Sequence, residues 1–172
     1  MNVQAVCDSN LKIFDVVARW PGSAHDSIIF ENSRVCARFE AGEFGNNVLV
    51  GDGGYMNKSY LLTPLRTCTT RAHTKYNVAQ IATRNVIERL FGVLKRRFPI
   101  LMLGIRLNVR IVQRIVVATA VLHNICNLQR NTCLPALDED LEMEQLEQVQ
   151  AIDNEGLVGT PRQAIIEYFE NI

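Results

Sequence analysis

Apolar and polar positions follow two different rhythms along this chain, and the change of rhythm divides it. "NVQAVCD" (2 to 8) and "KIFDVVARW" (12 to 20) are short runs of apolar and β-branched residues separated by the turn-forming "DSN". This pattern predicts an antiparallel hairpin. "WPGSAHDS" then stops the sheet. Ser23 with Asp26 three residues later has the form of a capping box, and Ile28, Ile29, Val35 and Phe39 continue a helix to about Ala41. "NVLVG" (47 to 51), bounded by Asn and Gly, predicts a short buried strand. "NKSYLL" is expected to form one helical turn before "TPLRTCTT", a loop broken at Pro64.

From about Lys75 to Phe98 the period becomes helical. Ile87, Leu90, Phe91, Leu94 and Phe98 recur every three to four residues, and Pro99 ends the helix. A second helix, about Asn108 to Arg130, is apolar nearly all round and is expected to be the central buried helix on one side of the sheet. After "NTCLP" the chain turns acidic, and residues 133 to 159 read as a linker or helix. In "GTPRQAIIEYFENI", Thr160 as N-cap, Pro161 at the first position and Gln163 at the third predict a closing helix (160 to 172), with Ile165, Ile166, Phe169 and Ile172 docking it back. The elements describe an α/β fold in which residues 1 to 132 form the main domain.

Composition narrows the class. With 172 residues, 48% of them hydrophobic, the chain can bury one sizeable core. Even the apolar run Ile115 to Leu122, interrupted by Thr119, is far shorter than the roughly 20 residues that span a bilayer, and no signal segment opens the chain, so a soluble protein with no membrane partner is expected. Five widely spaced cysteines without a C-x-x-C pair argue for a reducing compartment and against a zinc site.

The net charge of zero conceals a segregation of charge. Residues 1 to 132 carry 17 Lys and Arg against 8 Asp and Glu, whereas residues 133 to 172 carry 1 against 10. Between 66 and 130, twelve bases face a single acid, Glu88. A positive surface of that size attracts polyanions, above all nucleic acid; a solvated basic face balanced by the acidic tail is the plainer alternative.

Two carboxylates stand out. Asp52, in "GDGGY", ends a buried strand, where open α/β sheets place their ligand sites, and the adjacent glycines leave the backbone bare. A tight turn favoured by the aspartate's own hydrogen bonding explains the same letters. Glu88 lies beside the apolar stripe of its helix, with Arg84, Gly92 and Lys95 on its row. Two hard oxygen ligands in a basic surface are what Mg²⁺ or Mn²⁺ sites for phosphoryl transfer require. Arg84, Arg89, Lys95, Arg96 and Arg97 are the candidate DNA phosphate contacts, and His25 and His123 read as structural.

"NVQAVCDSNLKIFDVVARWPGSAHDS", "LVGDGGYMNKSYLLTP", "RNVIERLFGVLKRRFPIL" and "ATAVLHNIC", in this order, closely resemble the catalytic domain of PIF/Harbinger transposases and the Harbinger-transposase-derived nucleases of animals. The resemblance covers about residues 2 to 130. It implies a ribonuclease-H-like mixed sheet flanked by helices, and a triad of two aspartates and a glutamate holding two divalent metals that hydrolyse DNA. The second aspartate corresponds to Asp52 and the glutamate to Glu88, with 35 residues between them. In that family the first aspartate lies upstream of the "NVQAVCD" strand, so this chain is expected to lack the first strand and first ligand and to be a weak or inactive nuclease. Asp26 is a possible accessory residue. A DNA-binding relic without catalysis, or an assembly module pairing through its open sheet edge, are the alternatives. The resemblance also implies a Myb-like DNA-binding partner protein and residence in the nucleus, with the cytoplasm as the alternative.

Overall fold

A computed structural model describes residues 1–128 and 160–171. The acidic segment 133 to 159 and Ile172 lie outside the described residues. The described residues divide into two compact units, residues 1–37 with 85–128 and residues 38–84 with 160–171.

The first unit opens with the predicted hairpin. Strands β1 (Asn2–Cys7) and β2 (Ile13–Trp20) pair antiparallel, with Ala5 opposite Val16 and Gln4 opposite Val17. Their connection is built by Asp8, whose Oδ1 accepts the backbone N–H groups of Asn10 and Lys12, both at 2.9 Å, and Leu11 takes a left-handed φ of 62°. Ile13 on β2 joins Leu90, Leu94 and Ala120 in a core flanked by Ile87, Phe91 and Phe98, so the apolar stripe seen in the sequence is the packed one. Leu90 and Leu94 belong to α3 (Arg71–Arg97), whose end before Pro99 is where the sequence placed it; α4 (Ile100–Leu103) follows as one short turn.

Two expectations for this unit are corrected. The predicted helix to Ala41 is two helices, α1 (Asp26–Glu31) and α2 (Arg34–Glu40). Asn32 and Ser33 break it, because their side chains donate to the carbonyls of Ile28 and Phe30 and compete with the helical ladder. Ser33 Oγ then accepts Cys36 N–H at 3.1 Å and starts the second helix. The capping box is not formed: His25 holds the N-cap position of α1 without a side-chain bond, and Asp26 Oδ1 instead accepts from Asn2 Nδ2 on β1 at 2.9 Å.

The second correction concerns α5 (Val109–Leu128), expected as a central buried helix. Only Thr119, Ala120 and His123 are fully buried; Val117, Val121, Leu122, Ile125 and Leu128 are exposed. Apolar composition all round did not mean cover all round. The covered side is narrow and held by polar bonds. Asn124 pairs with the backbone of Ile13, and His123, which is wholly buried, meets the Leu11 carbonyl at 2.8 Å through Nε2. Among the described helices α5 alone is long and apolar enough, by length and composition, to cross a bilayer.

In the second unit β3 (Leu49–Val50) and β4 (Leu61–Leu62) pair parallel, Leu49 with Leu61 and Val50 with Leu62. The end of "NKSYLL" is therefore a strand, not a helical turn; Leu61 and Leu62 are fully buried, and two apolar residues at the start of a loop were too short a signal. The loop before it is tied by Glu40, which accepts from the Tyr60 hydroxyl and pairs with Lys58 Nζ at 3.0 Å. Those two partners hold the Glu40 carboxyl below its ordinary range, the tyrosine contributing most. Helix α6 (Pro161–Glu170) begins as predicted, Thr160 Oγ1 accepting Gln163 N–H at 3.4 Å, and buries Ile166 against Ala72 and Tyr76 of α3. The described residues thus form a mixed α/β fold with two two-stranded sheets, where a single mixed sheet was expected.

Candidate carboxylate site and basic face

Asp52 stands just after β3, and its backbone is held from two sides. Gly51 donates its N–H to Leu62 O on β4 at 2.9 Å, extending the parallel ladder by one residue. The Gly51 carbonyl accepts from Gln80 Nε2 on α3 at 2.6 Å, and the same amide reaches Leu62 O at 3.3 Å. The Asp52 side chain is half-buried. Its Oδ1 accepts Gly54 N–H at 2.8 Å, an Asx-type turn, and its Oδ2 has no hydrogen-bond partner among the described residues.

The glycines of "GDGGY" serve three different purposes. A Cβ on Gly51 would stand 3.0 Å from the Tyr55 ring and 3.2 Å from Leu61, so this glycine is required by internal packing. On Gly54 it would stand 3.0 Å from Asp52 Oδ1, crowding the turn. Only at Gly53 is the space open, with nothing within 4 Å. Both sequence readings therefore hold in part: the segment is an aspartate-stabilised turn, and it leaves one carboxylate oxygen available.

Glu88 is exposed on α3, next to Ile87, Leu90 and Phe91, which turn the other way into the core. Gly92, one turn on, opens space above the row, since a Cβ there would meet nothing within 4 Å. Arg84, Arg89, Lys95 and Arg96 ring this stretch of helix, half-buried at Arg84 and exposed at the rest. Arg97 differs from them. Its Nη1 lies 3.1 Å from His123 Nδ1 and 3.3 Å from the His123 carbonyl, so it serves the fold of its unit. A guanidinium only donates, which makes Nδ1 the acceptor and leaves the His123 proton on Nε2 for the Leu11 carbonyl. His123 is thus structural, as expected, and burial lowers its pKa. Asp26 is likewise engaged, by Asn2 at its side chain and by Gln4 Nε2 at its carbonyl.

Sequence reading missed Gln80, which fixes the Asp52 turn. Its signal was there: Ala72, Tyr76 and Gln80 share one buried row at intervals of four, and an amide on an apolar row points to a backbone partner. A groove of about 490 Å³ between α3 and α6, lined by Arg71, Lys75, Val78 and Phe169, includes neither carboxylate.

Carboxylate oxygens are suitable donors for a hard divalent cation. Among the described residues, however, no three His, Cys, Asp or Glu side chains come together as a group that could hold an ion. The donors agree with a metal in kind and fall short in number, so the described residues do not form a complete metal centre.

Residues 1–124 match the family described as DDE superfamily endonuclease. The chain belongs to that family. It is 34% identical over 128 residues to the proteins named "Putative nuclease HARBI1" of Bos taurus and of Homo sapiens, covering 73% of this chain and 37% of each relative. The Arabidopsis thaliana "Protein ALP1-like" is 29% identical over 115 residues, 59% of this chain and 28% of that protein. The chain therefore spans less than half the length of each of these curated relatives. No solved structure matches it. DDE endonucleases use divalent metals and act on DNA, which accords with the carboxylates and the basic helix.

Proposed function

We propose that this chain supplies Asp52 and Glu88 as metal-binding carboxylates of a transposase-derived DNA endonuclease, and that Arg84, Arg89, Lys95 and Arg96 hold the DNA phosphate backbone. The observation that carries this reading is the Asp52 turn, anchored by Gln80 within its own unit, in a chain whose residues 1–124 match the DDE endonucleases. Asp52 Oδ2 is left available by that turn. Such oxygens suit a hard divalent cation, and Mg²⁺ or Mn²⁺ is the ion this reading assigns. The ribonuclease-H-like arrangement, a nuclear location and a Myb-like DNA-binding partner belong to the same reading by family likeness. So does self-association through the edge of β1, which has no partner strand among the described residues.

With no three-donor group among the described residues, the chain alone cleaves DNA weakly or not at all. That same observation favours a second reading, a DNA-binding module without catalysis. Nicking of supercoiled plasmid in Mn²⁺, measured beside DNA affinity, separates the two. The endonuclease reading predicts slow nicking abolished by Asp52→Asn and by Glu88→Gln. The binding reading predicts no nicking and an affinity unchanged by both substitutions together. In either case four phosphate contacts would weaken affinity on the order of a hundredfold between 50 and 200 mM salt.

A further inference from the structure

The groove between α3 and α6 belongs neither to the carboxylate turn nor to the proposed phosphate contacts, and its chemistry differs from both. Its volume is about 490 Å³, and all the residues that line it lie in the second unit. Two of them are basic, Arg71 and Lys75, one helical turn apart on α3. No acid lines the groove, and among the described residues neither base has an ion-pair partner. The floor beyond the two bases is apolar: Val78, which is 57% exposed, and the small side chains of Ala79 and Ala82.

The opposite wall is Phe169 of α6, and packing fixes it. Phe169 rests on the core that Ile166 makes with Ala72 and Tyr76, and the exposed Tyr168 stands edge-on beside it, ring centroids 5.5 Å apart. Along α3 the groove therefore reads positive first and apolar after, over the stretch from Arg71 to Ala82, about 16 Å of helix. That length matches about three turns of a second helix laid along it. The two alanines let the backbone of such a helix come close.

Charge and apolarity together select the occupant. A nucleic-acid duplex presents its charged backbone along its whole outer surface, so phosphates that met Arg71 and Lys75 would also be set against Val78, Ala82 and Phe169. An amphipathic helix with carboxylates at one end and apolar side chains along one face satisfies both halves: its carboxylates meet the two bases, and its apolar face covers the floor. We infer that this groove is a docking site for an acidic, amphipathic helix of a partner protein.

Fluorescence anisotropy with the full 172-residue chain tests the inference. The probe is a fluorescein-labelled, alanine-based helical peptide with glutamates in its first turn and leucines along one face, and its twin carries glutamines in place of the glutamates. The acidic peptide is expected to bind with a dissociation constant on the order of 10 μM, and the twin at least about tenfold more weakly. Arg71→Gln with Lys75→Gln removes the preference and leaves the weak binding of the twin, which a folding defect would also lose. Ala82→Trp, at an exposed position, fills the floor and weakens both peptides at least about tenfold. Arg110→Gln with Arg114→Gln, an equal loss of charge in the other unit, changes neither. Equal affinity for the two peptides, binding unmoved by Ala82→Trp, or no binding by the wild-type chain would overturn the inference. So would displacement of the peptide by duplex DNA, which assigns the groove to phosphate, or binding only after the acids from Asp138 to Glu147 are replaced by their amides, which assigns it to the chain's own acidic segment.

Discussion

Asn124 makes with Ile13 both hydrogen bonds that a neighbouring strand would make: its Oδ1 accepts the Ile13 N–H at 2.9 Å and its Nδ2 donates to the Ile13 carbonyl at 2.8 Å. One helical amide thus satisfies a full backbone unit at the start of β2 and pins α5 to the hairpin. Asn124→Leu, of similar size, would leave both groups without a partner. The expected cost is about 2 kcal/mol, read as a lower urea midpoint with an unchanged slope.

Next to it, His123 makes stability depend on pH. Burial lowers its pKa below the ordinary 6.5, and the neighbouring Arg97 acts in the same direction, against the raising effect of the Leu11 carbonyl. The neutral ring is therefore the folded form. Its contribution is fully present above pH 6.5 and is lost as the pH falls toward the lowered folded value, because the unfolded chain takes the proton first. Thermal unfolding should show a midpoint falling from about pH 7 to pH 5. In His123→Gln, less stable at pH 7, that part of the fall should vanish.

These contacts show where the sequence was legible. The hairpin, the end of α3 before Pro99 and the start of α6 at Thr160 rest on local chemistry, in which a turn, a proline or a cap acts on its immediate neighbours. Exposure along α5 depends on what lies across from it, and periodicity records which residues are apolar without recording which are covered. Strand β4 was missed for a related reason: two leucines become a strand only because β3 is there to pair with them. At the site, Asp52 and its turn were readable from "GDGGY", whereas the role of Gln80 needed a partner 29 residues away.

Gln80 offers the most specific control of that turn. Gln80→Leu removes the donor to Gly51 O and Leu62 O in a buried setting, where 1 to 3 kcal/mol is the usual range for a lost partner, and about 1 to 2 is expected here. Any Mn²⁺-dependent nicking should drop with it even below the unfolding transition, since the Asp52 backbone loses its anchor. Circular dichroism beside the nicking rate checks both.

Helix α6 should be held by one buried side chain and one cap. Ile166→Ala, at a residue packed on Ala72 and Tyr76, is expected to cost about 2 to 4 kcal/mol. Thr160→Ala, which removes only the bond to Gln163 N–H, is expected to cost about 1 kcal/mol. The ratio of the two in denaturant melts distinguishes docking from helix initiation.

The central claim is that Asp52 and Glu88 act as the metal carboxylates of a DDE endonuclease. Paramagnetic broadening of amide signals by substoichiometric Mn²⁺ tests it without requiring turnover. The account predicts selective broadening at Gly51, Gly53 and Gly54 and also at Ile87 and Arg89, with both groups sharpened again by Asp52→Asn alone. Broadening confined to other acidic residues, or unchanged by Asp52→Asn, would contradict it.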